Sequence, residues 1–467
     1  TASAAPAQVR FDTPVNFPSG SGPHSIVAAD FDQDGFTDLG IALRGTNQVN
    51  VMLNDGLGGY TSLGTFGVGS QPLDVDSADL DGVNGPDLLV ADLFDDTVTV
   101  LLNNGAGSFG AGVALPVGVR PISLHCADFN QDGLPDWVVA NRSSETITVY
   151  FNDLASPGSF IGRIDFATGV LNPRSLAVGD FDLQNGPDIA VSGFESNDVV
   201  LLQNNGAGLF SVATSLAVGT NPRSVIFSDV DTDGALDLVV ANRVSGDVMV
   251  FMNDGAGGFP ASTSFPAGVT PRDVVTTDVD LDGKFDLVVT NETTNLISVL
   301  LGDGAGGFGA ATPVTVGGTS PMNTVQPVDV NGDQRVDLVT ANRDNATISV
   351  LNNKTLTLLF RRLKRGRFVN FRASGGFPGD TVHFFGSNTG IGVGNSFPQF
   401  GGLTLDILNE IKFGKSNVKP NSIARLRARV PARLAPGTQV FLQVVEERGV
   451  GGVDSVKSRV VTATIRP

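Results

Sequence analysis

The amino-acid sequence predicts an all-β protein, a seven-bladed β-propeller followed by a C-terminal antiparallel β-sandwich. Three observations predict this fold: an acidic nonapeptide recurs seven times, short β-branched segments follow each copy, and strand-like segments continue after the acidic pattern stops at residue 353. Because no apolar run reaches the roughly 18 residues that a membrane-spanning helix needs, we expect no membrane insertion.

The acidic nonapeptide sets the period of the repeat. The spacings between copies are 49, 49, 52, 49, 49 and 51 residues, and the copies begin at Asp30, Asp79, Asp128, Asp180, Asp229, Asp278 and Asp329. Each copy precedes an apolar run, a second β-rich run and then a Gly-rich turn that ends in an aromatic residue, as in residues 54–60. Four strands in about 49 residues is the size of one propeller blade. Seven copies therefore predict seven blades in a ring.

The ends of the repeat region predict how this ring closes. The seventh repeat stops at Asn353 without a fourth strand, and residues 9–17 resemble the missing strand. We expect this N-terminal strand to complete the last blade, so that no sheet edge stays free. The alternative is its insertion into a blade of a neighbouring molecule, which would build polymers. The propeller is thus predicted over residues 1–353 and a basic β-sandwich over residues 354–467.

The acidic loop and the Gly-aromatic turn follow each other in the same order in the repeats. In this they resemble the FG-GAP or VCBS-type repeats of bacterial surface proteins and of the propeller in integrin α chains. The resemblance covers about residues 9–353, and only the seventh Gly-rich turn is missing. The chain starts at Thr1 in a run of small residues, which fits a protein after removal of a signal peptide. We therefore expect a secreted or cell-surface protein.

The acidic nonapeptides predict up to seven Ca²⁺ sites, one in each blade. Oxygen ligands at positions 1, 3, 5 and 9 crowd negative charge into a tight loop, which favours a hard cation. Glycine at position 6 allows a left-handed turn, and the carbonyl group at position 7 is expected to face the ion. The five most regular copies predict these ligands: Asp30, Asp32, Asp34, Phe36 and Asp38; Asp128, Asn130, Asp132, Leu134 and Asp136; Asp229, Asp231, Asp233, Ala235 and Asp237; Asp278, Asp280, Asp282, Lys284 and Asp286; Asp329, Asn331, Asp333, Arg335 and Asp337.

The second and fourth copies depart from this pattern. Asparagine stands at position 6, and position 5 is Val83 or Gln184. These loops predict weaker sites, or sites that use the asparagine oxygen in an altered geometry. Their predicted ligands are Asp79, Asp81, Asn84 and Asp87, and Asp180, Asp182, Gln184, Asn185 and Asp188. We expect bound calcium to stabilise the blades rather than to signal.

Residues that follow the proline at the start of each innermost strand are expected to rim the central channel. They are His24, Leu73, Ile122, Arg174, Arg223, Arg272 and Met322. The three arginines stand in consecutive blades and could bind an anionic ligand. Local salt bridges within an acidic propeller are the alternative.

Charge divides the chain into two parts. Residues 354–467 carry 18 basic and 6 acidic side chains, whereas residues 1–353 carry 12 basic and 42 acidic ones. Two basic runs are candidate partner-binding surfaces: Arg361, Arg362, Lys364, Arg365 and Arg367, and Arg425, Arg427 and Arg429. The acidic propeller would repel nucleic acid. We predict that the partner is another copy of the chain, or another acidic surface protein or glycan, and that copies associate head to tail. A solvated basic face is the alternative.

Catalytic motifs are missing from the sequence. The three histidines are scattered, and no Gly-x-Ser-x-Gly, His-Glu-x-x-His or phosphate-binding loop occurs. We predict a non-enzymatic structural or adhesive protein, with a lectin and a polysaccharide-active enzyme as alternatives. Sugar sites favour exposed Trp and Tyr side chains. Here Trp137, Tyr60 and Tyr150 occupy framework positions of the repeat, which disfavours the lectin.

Overall fold

The computed structural model describes residues 9–317 and 322–355, and beyond them the backbone of seven strands. Phe11–Asn353 belong to one compact unit, and the strands after Lys354 belong to a second. The first unit is the seven-bladed β-propeller that the repeat predicts, with four antiparallel strands in each blade. Among the described residues, no helix has the length and hydrophobicity that a membrane crossing requires.

The two inner strands of each blade flank the acidic nonapeptide. The innermost strands are β2 Pro23–Ala29, β6 Pro72–Ala78, β10 Pro121–Ala127, β14 Pro173–Gly179, β18 Pro222–Ser228, β22 Pro271–Thr277 and β26 Met322–Val328. The second strands are β3 Asp38–Leu43, β7 Asp87–Asp92, β11 Asp136–Asn141, β15 Asp188–Gly193, β19 Asp237–Asn242, β23 Asp286–Asn291 and β27 Asp337–Asn342. A short 3-10 helix, Arg343–Asn345, follows the last of these.

The two outer strands complete each blade. The third strands are β4 Gln48–Asn54, β8 Thr97–Leu101, β12 Thr146–Asn152, β16 Asp198–Asn204, β20 Asp247–Met252, β24 Leu296–Leu300 and β28 Thr347–Leu351. The fourth strands of blades one to six are β5 Tyr60–Gly67, β9 Val113–Pro116, β13 Phe160–Ala167, β17 Phe210–Ala217, β21 Ala261–Pro266 and β25 Thr312–Thr315.

The fourth strand of the seventh blade comes from the start of the chain. This strand, β1 Val15–Pro18, pairs antiparallel with β28, with Val15 opposite Val350 and Pro18 opposite Thr347. The hydroxyl of Ser349 donates to Asn16 Oδ1 (2.6 Å), and the Phe17 ring meets the Tyr60 ring edge-on with centroids 5.9 Å apart. The strand therefore lies in a blade of its own chain, at the C-terminal half of the predicted segment 9–17.

The second strands form the buried layer of the propeller. All six residues are buried in each of them, because blades pack against both of their faces. One apolar cluster joins Leu39 and Ile41 of the first blade to Val339 of the seventh, so the ring closes on a shared core. Trp137 is fully buried and stacks on Tyr150 with centroids 4.6 Å apart, which confirms its predicted framework position.

Hydrogen bonds around the channel link the innermost strands of neighbouring blades. A side-chain oxygen near the start of one strand accepts a backbone N–H from the next blade: Leu124 N donates to Asp74 Oδ2 (2.9 Å), and Val325 N to Asp273 Oδ2 (3.1 Å). The other members of this belt are Ser123, Ser175 and Ser224. The belt fixes the positions of the strands around the channel.

The described strands of the second unit are β29 Thr357–Phe360, β30 Phe371–Ser374, β31 Val382–Ser387, β32 Thr404–Asp406, β33 Arg427–Arg429, β34 Gln439–Glu447 and β35 Val456–Thr464. They form two antiparallel pairs and one three-stranded sheet. In that sheet β31 and β34 are parallel. The prediction of a wholly antiparallel arrangement was therefore wrong for this pair, because residue alternation along a strand does not encode the direction of its partner. The sandwich itself stays a prediction.

Candidate metal centres

The acidic loops connect the innermost strand of each blade to the second strand. In the first loop, Asp34 N and Gly35 N donate to the two carboxylate oxygens of Asp30 (3.1 and 2.9 Å). Phe36 N donates to Asp34 Oδ1 (2.8 Å). The same bonds recur in four other loops, those that begin at Asp128, Asp229, Asp278 and Asp329. These loops are thus shaped by their own carboxylates.

Left-handed backbone occurs in every loop, at two positions in the five regular loops and at three in the second and fourth. At position 6, Gly35 has φ +91°, while Asn84 and Asn185 have φ +64° and +62° in the irregular loops. Asparagine tolerates this conformation better than most residues with a side chain. The backbone therefore explains why asparagine moves to position 6 in the second and fourth loops. The predicted ligand roles of Asn84, Asn185 and Gln184 stay predictions.

In five loops, three carboxylates converge so that one oxygen from each lies within 4.8 Å of the others. The groups are Asp30, Asp32 and Asp38; Asp79, Asp81 and Asp87; Asp180, Asp182 and Asp188; Asp229, Asp231 and Asp237; and Asp278, Asp280 and Asp282. The irregular second and fourth loops are included. The third and seventh loops carry Asn130 and Asn331 at position 3, and no such group of three is found there among the described residues.

In some loops, side-chain nitrogen atoms bind the carboxylates that a metal ion would need. In the seventh loop, Arg335 Nη1 lies 3.4 Å from Asp333 Oδ2, and Asn331 Nδ2 donates to Asp337 Oδ2 (3.0 Å). Lys284 Nζ lies 3.2 Å from Asp282 Oδ2 in the sixth loop. Because the Arg335 guanidinium is 5% exposed, it supplies a fixed positive charge, which disfavours a metal ion in the seventh loop.

The aspartate at position 9 joins the loop to the third strand. Phe31 N donates to Asp38 Oδ2 (3.0 Å) and Asn54 N to Asp38 Oδ1 (2.8 Å). Equivalent pairs of bonds occur in all seven blades, at Asp87, Asp136, Asp188, Asp237, Asp286 and Asp337. Burial raises the pKa of Asp38 to about 6 and that of Asp188 to about 7.

Burial and neighbouring carboxylates both disfavour the charged form of aspartates in the loops. Burial raises the pKa of Asp280 to about 6, and the neighbouring carboxylates of Asp282 and Asp278 contribute to the shift. The pKa of Asp32 is raised by burial and by Asp34 and Asp30. A cation between these oxygens would remove the repulsion that raises their pKa values. The chemistry of the donors therefore fits a hard metal ion.

An asparagine at the end of the third strand was missed by sequence reasoning. Asn103 Nδ2 donates to the carbonyl of Pro86 in its own loop (2.9 Å) and to the carbonyl of Phe31 in the preceding blade (2.8 Å). The equivalent residues are Asn54, Asn152, Asn204, Asn253 and Asn353. In the sixth blade Gly302 stands there, where a Cβ would lie 2.1 Å from the Phe285 carbonyl. The available signal was an asparagine before the Gly-rich turn of most repeats.

The predicted channel residues Arg174, Arg223 and Arg272 line the central cavity. Met322 does not: it is buried, and Asn323 lines the channel instead. The prediction of Met322 was wrong because it counted from Pro321, whereas Met322 pairs with Asn342 as Pro271 pairs with Asn291.

The two predicted basic runs fall largely outside the described residues. Arg361, Arg362, Lys364, Arg365, Arg367 and Arg425 lie outside them, and of Arg427 and Arg429 only the backbone is described. That backbone belongs to β33, which pairs with β32. Their roles in partner binding stay predictions.

Fold and loops together define a seven-bladed β-propeller with clustered carboxylates at the loops of its blades. The FG-GAP-like repeat family model matches residues 84–139, 128–191, 184–240, 229–289 and 278–340. The chain therefore belongs to the FG-GAP repeat family, as the loop and turn motifs predicted.

Solved structures show the same fold at low sequence identity. The BBS1N structure in complex with ARL6DN is 15% identical, with a TM-score of 0.52, and the match covers 73% of this chain and 96% of that one. A candidate 6-phosphogluconolactonase from Bacteroides fragilis NCTC 9343 is 16% identical, with a TM-score of 0.50, and the match covers 62% of this chain and 83% of that one. Among curated proteins, none matches the sequence. These likenesses concern the fold alone.

Replacing Asn103 with alanine tests the bond between blades. Asn103→Ala removes three hydrogen bonds, two donated by Nδ2 and one that Oδ1 accepts from Gly105 N, so we expect a loss of roughly 2 kcal/mol in unfolding free energy. Asn104→Ala, at the exposed neighbouring position, is the matched control and should change stability little. Chemical denaturation measures both. Equal stability of the two variants would contradict a role in joining blades.

Proposed function

We propose that the chain is a calcium-stabilised, non-enzymatic structural or adhesive module that works outside the cell or at the cell surface. The observation that carries the proposal is the convergence of three carboxylates in each of five acidic loops. Oxygen-only donors favour Ca²⁺ over softer metals, and a loop made almost wholly of protein oxygens favours it over Mg²⁺. Membership of the FG-GAP family supports an extracellular setting.

Calcium in these loops would stabilise the ring rather than act in catalysis. Each loop begins at the end of an innermost strand, and its position-nine aspartate binds the backbone of the third strand, as Asp38 does. An ion that neutralises the loop would therefore secure three strands of one blade at once. The side chains best suited to stack on sugars, Trp137, Tyr60 and Tyr150, are buried, which supports a structural role over a lectin.

Substitution of Asp32 tests the calcium proposal. Asp32→Asn removes one of three converging carboxylates in the first loop, so we expect about one fewer bound Ca²⁺ per chain and a smaller rise in melting temperature on adding calcium. Asp55→Asn is the matched control, because Asp55 is an exposed carboxylate in the Gly-rich turn of the same blade. Metal analysis after dialysis counts the ions. A wild-type protein with no bound Ca²⁺, and with the same melting temperature in chelator, would contradict the proposal.

The raised pKa values predict that, as pH rises, the ion-free chain loses stability and the stabilisation by calcium grows. The pKa of Asp38 rises from 3.8 to about 6 on folding, and that of Asp188 to about 7. The ion-free folded chain therefore binds more protons than the unfolded chain in this range, and these groups lower its stability as pH rises. Protons compete with Ca²⁺ for the same oxygens. We expect the gain in melting temperature from calcium to be larger at about pH 8 than at about pH 5.5. Equal gains at both would contradict this.

The partner we propose is another copy of the chain. The support is charge: 18 basic against 6 acidic residues after residue 353, and 12 against 42 before it. Basic C-terminal regions attracted to acidic propellers would associate head to tail and build a filament or surface array.

Light scattering tests this association on the full chain in millimolar calcium. We expect the average mass to fall as salt rises from about 20 mM to about 500 mM, because salt screens attraction between exposed charges. Replacing Arg425, Arg427 and Arg429 with glutamine should reduce the mass at low salt. A monomer at low salt would contradict head-to-tail association and leave the calcium proposal standing.

A further inference from the structure

The central channel encloses a cavity of about 380 Å³ lined by the innermost strands of all seven blades. Arg174, Arg223 and Arg272 lie at the mouth opposite the acidic loops. This follows from the strand pairing: Pro23 at the start of β2 pairs with Leu43, whereas Ala29 at its end pairs with Asp38 beside the loop. The propeller is strongly acidic overall, so a cluster of guanidinium groups at one mouth is a local reversal of charge.

Glu292 is the carboxylate that this cluster shares. Arg272 Nη1 lies 2.7 Å from Glu292 Oε1, and Arg243 Nε lies 2.6 Å from Glu292 Oε2. Burial alone would raise the pKa of Glu292, but the surrounding arginines lower it to about 2, so the carboxylate is charged. Each of its two oxygens thus has a guanidinium partner, Oε1 in Arg272 and Oε2 in Arg243. The local salt bridges account for Arg243 and Arg272.

Arg174 and Arg223 are bound less closely than Arg243 and Arg272. Among the described residues, Arg174 has no hydrogen bond or ion pair, and its guanidinium lies 5.8 Å from the centre of the Phe194 ring. Arg223 is 11% exposed, makes no hydrogen bond there, and reaches Glu292 only at 3.8 Å. Burial and the other arginines lower the pKa of Arg174 to about 9. Both guanidinium groups therefore keep N–H donors that no acceptor in the described part of the chain takes.

Three other polar side chains of the channel, His24, Asp273 and Asp74, bind other groups. His24 Nδ1 bonds the Leu73 carbonyl (2.5 Å), which leaves Nε2 to accept from Arg272 Nη2 (3.0 Å). Asp273 accepts from Ser224, Thr324 and the Val325 backbone. Asp74 accepts from Ser25 and the Leu124 backbone, within the belt below the mouth. None of these groups bonds Arg174 or Arg223.

We propose that the channel mouth binds an oxyanion, the carboxylate or sulfate group of a small acidic ligand, between Arg174 and Arg223. Two guanidinium groups from consecutive blades offer paired N–H donors, the geometry that oxyanions accept best. The cavity volume falls within the range of about 300 to 1,000 Å³ that is common for small-ligand sites. Glu292 fixes the positions of Arg243 and Arg272 through its two ion pairs. Anion binding at this mouth requires neither bound calcium nor self-association.

Calorimetric titration of the full chain with D-glucuronate, sodium sulfate and glucose tests the site. We expect saturable binding of one anion per chain by glucuronate or by sulfate, and none by glucose. Glucuronate alone would identify a carboxylate site, and sulfate alone a site for tetrahedral oxyanions. Arg174→Gln and Arg223→Gln should each weaken binding at least about tenfold, the effect of losing a charged hydrogen bond. The control Arg163→Gln, which breaks an ion pair with Asp165 on an outer strand, should leave affinity unchanged.

Stability without ligand gives a second, independent measurement. If Arg223 serves to bind an anion, Arg223→Gln removes a charge that is poorly compensated without ligand. The melting temperature of the variant should then equal or exceed that of the wild type. If Arg223 serves only as a partner of Glu292, the same variant should lower it. Absence of binding by both anions, or equal affinity in wild type, Arg174→Gln and Arg223→Gln, would overturn the proposal.

Discussion

The structure depends on one buried carboxylate in each blade, the aspartate at position 9 of the acidic loop. Its two oxygens accept backbone N–H groups from the loop and from the end of the third strand, as Asp38 does from Phe31 and Asn54. A buried charge of this kind is tolerated only when such donors surround it. The bond pattern holds the loop in shape, and the shape in turn brings the other carboxylates together. Fold and candidate metal centre therefore share one residue.

Neighbouring blades are joined by polar contacts as well as by the apolar core. Asparagines such as Asn103 cross from the end of the third strand to the acidic loop of the preceding blade. Near the channel, oxygens such as Asp74 Oδ2 accept from the next blade. The two sets lie at different distances from the axis, so the blade positions are fixed both at the channel and near the loops.

Local pattern predicted much of this arrangement. The period of the nonapeptide gave seven blades, and Trp137, aligned with leucine and isoleucine in other repeats, was correctly placed in the buried layer. The carboxylates of the second and fourth loops converge although their sequences are irregular. Their spacing between positions 1, 3 and 9 is retained, and spacing governs convergence. The partial failures were Met322, which takes the place in the strand that Pro271 has in the sixth blade, and the parallel pair β31 and β34.

The sequence by itself determined the number of blades, the acidic loops and the residues that face the core, because these follow from repeat length and alternation along one strand. Only the tertiary structure decided which groups meet across blades: Asn103 with Phe31, and Glu292 with Arg243 and Arg272. These pairs lie 20 or more residues apart in sequence, and Asn103 with Phe31 and Glu292 with Arg243 belong to different repeats. Their contacts depend on the rotation between neighbouring blades, a quantity that no local residue pattern specifies.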